Sequence, residues 1–329
     1  MSLRFAQYPL LLLLALLLTA CHDGQQMRQA LSDLQARNQA DSLLTDDSLA
    51  LALTQYFDRH GTPNERMEAH YLLGRTYADR GEAPQAIAAY QTAAEQADTT
   101  TPDCDYHQLA KVYGQLGNML FSHKLIPYAL QAFEQAGRCA IIIGDTLLSI
   151  IAYEQKAKCY YNAGQTDSAE WVIRKVSRQY TAIGDTLASN TAVGPLAYIC
   201  TQKGLFDEAR VYINRYEHHS YVSLDTTAHR DSWHLFQVQK GFYYLGTDSI
   251  SKAIALFRKE ISYQGDTFHR LLVFKGLMKA YEKEGRTDSI SKYAQLRTIA
   301  NDSVVDIQLS QHLQQMMAMF DYNQPEIRR

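Results

Sequence analysis

Length, composition and charge exclude several classes of protein before any motif is considered. The chain has 329 residues, of which 46% are hydrophobic and 20% are charged, so it can bury a core and is not disordered by composition. Lys and Arg number 32 against 35 Asp and Glu, a formal net charge of −3, whereas a protein held to nucleic acid by phosphate contacts needs a basic surface. Only 17 Gly and 7 Pro favour a helical chain over an all-β one.

Residues 1–21 have the features of a targeting segment. Arg4 precedes an apolar run from Leu10 to Ala20, which is well short of the roughly 20 residues that span a bilayer. The run ends in Leu18-Thr19-Ala20-Cys21, which resembles the lipobox of bacterial lipoproteins. An ordinary cleaved signal peptide, or a chance cysteine, is the alternative.

The lipobox resemblance implies a location as well as a modification. In that family the cysteine receives lipid and becomes the new N-terminus, so Cys21 is the expected lipidation site. Lipid chains anchor a protein to one leaflet without a transmembrane helix. We therefore expect a protein of the cell envelope of a Gram-negative bacterium, anchored to a membrane and facing the periplasm or the surface. Inner and outer membrane both stay open.

A short step of an acidic, a small and an apolar residue recurs along the chain at nearly constant spacing. The third residue of each step, or of the Pro-containing segment that replaces it, is Leu49, Ala86, Ala129, Ala169, Ala209, Ile250 or Ile290. The intervals lie between 37 and 43 residues, and the marker Ile-Gly-Asp-Thr-Leu at 143–147 returns at 183–187. Self-similarity of this period is typical of solenoids built from repeated helix pairs.

Each repeat combines a first helix containing a small residue with a second helix containing an aromatic one. Residues 67–96 show the pattern most clearly, with His70, Leu73, Gly74 and Tyr77 followed by Ala86, Tyr90 and Ala93. This pattern resembles the tetratricopeptide repeat. The three following repeats keep most of it, whereas the register of the fifth, between Gly241 and Asp248, stays open by about three residues.

The tetratricopeptide resemblance implies a fold and a domain organisation. The fold is all-α, a right-handed α–α superhelix of about six to seven helix pairs over residues 22–300. Val304, Ile307, Leu313, Met316, Met317 and Phe320 have helical spacing, so residues 301–329 are expected to form a capping helix and a tail. In long-repeat bacterial proteins such a helix also leads into an output domain.

An Asp followed by Ser or Thr and then by an aliphatic residue, Ala or Thr occurs ten times. The Asp residues are Asp41, Asp47, Asp98, Asp145, Asp167, Asp185, Asp225, Asp248, Asp288 and Asp302. Helix capping is the structural explanation, because Asp and Ser at a helix start accept the free backbone N–H groups. The pattern also resembles an O-glycosylation acceptor of exported bacterial proteins, so both interpretations stay open.

The sequence contains no pattern typical of catalysis or of metal binding. Cys104, Cys139, Cys159 and Cys200 form no Cys-x-x-Cys pair and are expected to be small buried hydrophobes, and no nucleophile, nucleotide-binding or zinc motif occurs. The histidines His218, His219 and His229 are predicted to lie in a solvated loop. We therefore expect no enzyme, no cofactor, no metal site and no small-molecule substrate.

The repeat resemblance also implies a binding surface, because the first helix of each tetratricopeptide pair lines a groove. The groove positions are Tyr71, Arg75, Asn118, Phe121, Lys158, Tyr161, Tyr198 and Gln202, with Asp79, Glu154 and Phe242 beside them. Arg, Lys and Asn suit a carboxylate or a peptide backbone, and the aromatic residues suit flat apolar contacts. Packing between neighbouring helices is an equally weighted role for the tyrosines.

Two functions remain open at this point. The first is a lipid-anchored scaffold that binds a protein or peptide partner in the cell envelope. The second is the sensory, periplasmic half of a regulator that lacks its output domain. Neither involves nucleic acid.

Overall fold

The computed structural model describes residues 24–263 and 267–301. Cys21 with its lipobox and most of the predicted C-terminal helix and tail (301–329) lie outside the described residues. Every regular element in the described part is a helix, which confirms the all-α helical-repeat fold. Among those same residues, none of the helices combines the length and hydropathy that a bilayer crossing requires.

Sixteen helices follow one another through the described residues. They are α1 (24–39), α2 (Ser48–His60), α3 (Pro63–Asp79), α4 (Ala83–Gln96), α5 (Tyr106–Ser122), α6 (Ile126–Ile142), α7 (Thr146–Asn162), α8 (Thr166–Ala182), α9 (Thr186–Ala192), α10 (Gly194–Gln202), α11 (Phe206–His219), α12 (Tyr221–Leu224), α13 (Arg230–Gly246), α14 (Ile250–Ile261), α15 (Thr267–Glu284) and α16 (287–301).

These helices form seven successive pairs within two compact units. Unit 1, which ends at Asp145, contains α1 to α6, and unit 2, which begins at Thr146, contains α7 to α16. The first helix of the pair that α11 completes is interrupted at Val193, where α9 gives way to α10. The short helix α12 lies in the link before α13. Within each unit, a helix packs mainly on its partner and on the next pair.

In α3 and α5, the small residue of the first helix lies against an aromatic ring sixteen positions later. A Cβ added to Gly74 would be 2.6 Å from the Tyr90 ring, and one added to Gly117 would be 2.6 Å from the Phe133 ring. The next two repeats place Ala157 of α7 and Ala197 of α10 at this position, and both are nearly fully buried. The close approach of the two helices therefore requires a small residue, as the pattern predicts.

The same spacing settles the register of the repeat formed by α13 and α14, which is the fifth when counted from residue 67. Gly241 lies against the ring of Phe257, with a hypothetical Cβ at 2.5 Å. The small residue that opens the second helix then falls at Ala253, which is fully buried. Ile250, the position suggested by the sequence marker, is half-buried at the first residue of α14.

Each turn between the two helices of a pair contains one residue with left-handed backbone. Four of the seven turns use glycine, and the other three place Asp41, Lys124 and Asp248 at positive φ. Between α7 and α8 the Gln165 N–H, just after Gly164, donates to the Tyr160 carbonyl at 3.0 Å. This hydrogen bond satisfies a carbonyl that the end of the helix leaves free.

The repeated Asp residues cap helices less often than their positions suggest. Asp185 accepts from the Ala188 N–H at 2.8 Å as the N-cap of α9, which is the predicted arrangement. Asp98 instead accepts from the Thr100 N–H within a turn, and Asp47 makes an ion pair with Arg80 at 2.9 Å. Asp167 lies inside the first turn of α8, where its charge still suits the helix dipole.

Three of the cysteines are buried, and two histidines of the predicted loop belong to a helix. Cys139, Cys159 and Cys200 are buried and unpaired, as predicted, and burial raises the pKa of each thiol to about 11. His218 and His219 form the last turn of α11, so the loop prediction was wrong for these two residues. Within residues 24–263 and 267–301, no group of three metal-ligating side chains is placed to hold an ion.

Candidate functional site

The predicted groove residues of α3 in unit 1 are held by contacts within the unit. Tyr71 is only 6% exposed, and its ring lies 6.0 Å from that of Tyr90. Arg75 donates through Nε to Asn38 at 3.0 Å and through Nη2 to Asp79 at 3.3 Å. Tyr71 therefore offers almost no surface to a partner, and Arg75 links α3 to α1.

The predicted groove residues of α5 are more accessible than those of α3. Asn118 is exposed, and Phe121, about one turn later, is half-buried. Because Asn118 makes no side-chain hydrogen bond within the described part of the chain, its amide is available. Unit 1 therefore presents one amide and one aromatic edge rather than the four-residue surface that the sequence predicts.

Lys158 and Gln202 of unit 2 are both solvent-exposed. Lys158 Nζ lies 3.3 Å from Glu154 on the same helix, and the Lys158 side chain is 49% exposed. The Glu154 carboxylate also accepts from the Tyr180 hydroxyl at 3.0 Å. An exposed pair of this kind stabilises the helix by only about 0.3–0.5 kcal/mol, so Lys158 exchanges partners at little cost.

Four side chains from three successive first helices meet in unit 2. The Tyr161 hydroxyl on α7 accepts a hydrogen bond from Gln239 Nε2 on α13 at 3.2 Å. The Tyr198 ring on α10 meets the Phe242 ring on α13 edge to face, with centroids 5.7 Å apart. We call Tyr161, Tyr198, Gln239 and Phe242 the aromatic patch. Its residues lie up to 81 positions apart in sequence, and helix packing brings them together.

The aromatic patch is neutral and combines apolar rings with hydrogen-bonding groups. Tyr161 and Tyr198 are half-buried, and burial raises the pKa of both phenols, so both hydroxyls stay protonated at neutral pH. Partly exposed tyrosines supply a large contact area with little conformational entropy to lose. The two hydroxyls suit the N–H and C=O groups of a peptide backbone, and the nearly buried Gln239 amide orients the Tyr161 hydroxyl.

Gln239 is the functional candidate that sequence reasoning missed. It is only 8% exposed and precedes the Gly241 position by two residues, where the repeat pattern has no fixed residue. A polar side chain on the buried side of a helix was the available signal, because buried amides need partners. The sequence contained no indication that the partner is Tyr161.

Comparison with known proteins identifies the fold and not a family. No protein-family model matches the chain, and a search of curated proteins found no match. The apo form of RapI superimposes with a TM-score of 0.59 at 10% identity, covering 85% of this chain and 99% of RapI. This likeness supports a tetratricopeptide-type helical-repeat fold.

Two further solved structures superimpose with lower TM-scores. The Rap conjugation gene regulator of plasmid pLS20, solved with the Phr* peptide, has a TM-score of 0.49 at 14% identity, covering 87% of this chain and 94% of that one. BtubC from P. vanneervenii has a TM-score of 0.42 at 11% identity, covering 84% and 92%.

Proposed function

We propose that this chain is a helical-repeat scaffold that binds a peptide or protein segment through unit 2. The aromatic patch carries the proposal, because it brings two half-buried tyrosines together over Phe242 and Gln239. Phe242 and Gln239 are themselves only 5% and 8% exposed and hold the two tyrosines in place. Binding hot spots are typically rich in partly buried tyrosine and have polar groups around them. The repeat fold of RapI supports the scaffold architecture.

We further propose that the scaffold is anchored in the cell envelope through lipid on Cys21. The lipobox-like sequence is the support for this part. Metabolic labelling with an alkyne fatty acid tests it directly: the wild-type chain is expected to incorporate label, and Cys21→Ser is expected to lose it together with membrane association. Labelling that persists in Cys21→Ser would contradict the anchor.

No catalytic or cofactor-dependent role is proposed. Burial is the main cause of the raised pKa values of Tyr161, Tyr198, Cys139 and Cys159. At neutral pH these side chains therefore stay protonated, which makes them weak nucleophiles.

The binding proposal is tested by site-specific crosslinking in intact cells. A photo-crosslinking amino acid replaces Gln202, which is exposed on α10 beside Tyr198, and the same residue replaces Arg178 on α8 as a control. We expect a crosslinked partner from position 202 that is absent from position 178. Crosslinks that are equal at both positions would contradict the proposal.

Two matched variants then assign the contact to the patch. Tyr198→Ala removes a patch ring, whereas Trp171→Ala removes an aromatic residue that is 62% exposed elsewhere in unit 2. We expect Tyr198→Ala to lose at least about tenfold in affinity for the crosslinked partner, as hot-spot truncations do, and Trp171→Ala to retain binding. Equal affinities in the two variants would place the contact elsewhere.

A further inference from the structure

Two lysines lie one turn apart on α15, the first helix of the last described pair. Lys275 is half-buried and Lys279 is exposed. On α16, the Tyr293 ring lies 6.4 Å from Phe274 and stacks on Tyr281 at 5.7 Å. Arg297 follows Tyr293 by one turn on α16, and its charge acts on Lys275. Burial, together with repulsion from Lys279 and Arg297, lowers the pKa of Lys275.

These three cations, which we call the cationic end, have no acidic partner within the described residues. None of them makes an ion pair there, although Glu282 follows Lys279 by three residues. Three other lysines of unit 2 do have acidic partners: Lys203 pairs with Asp167 and Glu170, Lys240 with Glu217, and Lys283 with Asp248. A half-buried lysine without a counter-charge is unfavourable, so an external anion would relieve the repulsion.

The cationic end adjoins the aromatic patch. Tyr198, Phe242 and Met278, the neighbour of Lys279, belong to one hydrophobic cluster. The Phe257 ring lies against the backbone of both Gly241 on α13 and Gly276 on α15, so these two helices flank a common side chain. The helix that carries the two lysines therefore packs directly beside the aromatic patch.

The charge of this surface is asymmetric. At the α7 side, Lys158 Nζ lies 3.3 Å from the Glu154 carboxylate, so the two residues together carry no net charge, and the patch itself is neutral. At the α15 side, the cationic end remains uncompensated by any acid in the described part of the chain. The electrostatic potential therefore favours a carboxylate of a bound peptide at the α15 end only.

We propose, building on the proposed function, that unit 2 binds its peptide in one direction, with a carboxylate-bearing end over Lys275, Lys279 and Arg297. The rest of the peptide lies across the aromatic patch toward α7. The ligand class is an acidic peptide with an apolar or aromatic segment, because a free inorganic anion would use the lysines and leave the patch uncovered.

Binding of two synthetic peptides tests the charge requirement. Both contain the same aromatic segment, one followed by three glutamates and the other by three glutamines, and each carries fluorescein. We expect the glutamate peptide to bind about tenfold more tightly, consistent with hydrogen bonds to charged groups. Lys275→Gln/Lys279→Gln is expected to abolish that difference, and Lys158→Gln is expected to keep it.

A photo-crosslinker then tests the direction. Benzophenone beside the glutamates is expected to label α15 or α16, and benzophenone at the opposite end is expected to label α7. Labelling of the same helices from both positions would overturn the proposal. Thermal melting of each variant verifies folding, which substitutions at these accessible positions should leave intact.

The outcomes separate this inference from the function on which it rests. Equal affinity for both peptides, lost in Tyr198→Ala, would overturn the direction and retain the peptide-binding function. Failure of both peptides to bind, together with absence of a crosslinked partner at position 202, would overturn both. Displacement of the glutamate peptide by millimolar inorganic phosphate, with no effect of Tyr198→Ala, would identify a simple anion site and overturn the inference.

Discussion

The ring of Phe133 occupies the space that any side chain at Gly117 would need. A Cβ at position 117 would lie 2.6 Å from Phe133 Cε1, which is far closer than van der Waals contact. The same relationship recurs at Gly74 with Tyr90 and at Gly241 with Phe257. The repeat therefore depends on a missing side chain as much as on the aromatic residue that fills its place.

Replacing Gly117 by Ala should destabilise the helix pair α5–α6. Overpacking a well-packed seam costs typically about 1–3 kcal/mol, and the Phe133 ring has to move. Gly114 on the same helix has no atom within 4 Å of an added Cβ, so Gly114→Ala should stabilise by up to about 1 kcal/mol through helix propensity. Urea denaturation of both variants measures the difference.

A rescue variant separates the steric effect from other causes. Phe133→Leu in the Gly117→Ala background should recover part of the lost free energy of unfolding, because the smaller side chain vacates the contact. Equal stability of Gly117→Ala and Gly114→Ala would refute the steric explanation.

The left-handed turn residues give a second, independent prediction. Gly164 has φ of +71° with no atom within 4 Å of an added Cβ, so Gly164→Ala should cost about 1 kcal/mol of backbone strain alone. Lys124 occupies the equivalent turn at φ +62°, so Lys124→Gly should stabilise the protein by relieving backbone strain. The gain should be smaller than the cost of Gly164→Ala, because glycine also raises the entropy of the unfolded chain. Opposite signs of the two changes in melting temperature are the expected result.

Glu68 should make the stability of unit 1 depend on pH. It is 8% exposed, and its Oε1 has no hydrogen-bond partner within the described residues, nor does Nε2 of buried Gln108. Burial raises the Glu68 pKa to about 7, partly offset by Lys111. Because the folded state holds this proton more tightly than the unfolded chain, the contribution of Glu68 to stability is greatest below pH 4.5 and is lost as the pH rises to about 7.

Glu68→Gln should remove that dependence. We expect a gain of about 3 kcal/mol at pH 8, from the one-unit equivalence of about 1.36 kcal/mol, and almost no change at pH 4. Glu65 on the same helix is the matched control: its pKa is lowered, and its carboxylate closes the capping box with Thr62, so Glu65→Gln should destabilise at pH 8. A Glu68→Gln variant that follows the wild-type pH profile would refute the prediction.

Glycosylation of the Asp-Ser and Asp-Thr segments remains a prediction with accessible acceptors. The hydroxyl residues Ser42, Ser48, Thr99, Thr146, Ser168, Thr186 and Thr226 are exposed, and Ser249 and Ser289 are half-buried. Mass spectrometry of the native protein should show a mass excess on some of these peptides, and protein made in a non-glycosylating host should show none. Unmodified masses throughout the native protein would leave helix capping and turn formation as the explanation.

Local sequence determined the helices, their pairing and the seams between them. The spacing of small and aromatic residues reports on contacts within about sixteen positions, which a helix pair brings together regardless of the rest of the chain. Gly74 with Tyr90 and Gly117 with Phe133 follow from that spacing, and so does the burial of Cys159 and Cys200.

Tertiary structure decided which predicted groove residues are available and which neighbours they have. Tyr71 and Arg75 match the pattern as well as Tyr161 and Tyr198 do. In the folded chain, however, Tyr71 packs on Tyr90, and Arg75 donates hydrogen bonds to Asn38 and Asp79. The contact of Tyr161 with Gln239 joins residues 78 positions apart, and its partner depends on how three repeats stack. A repeat pattern specifies each pair of helices, but the side chains that meet between pairs are set by stacking geometry, which periodicity alone does not encode.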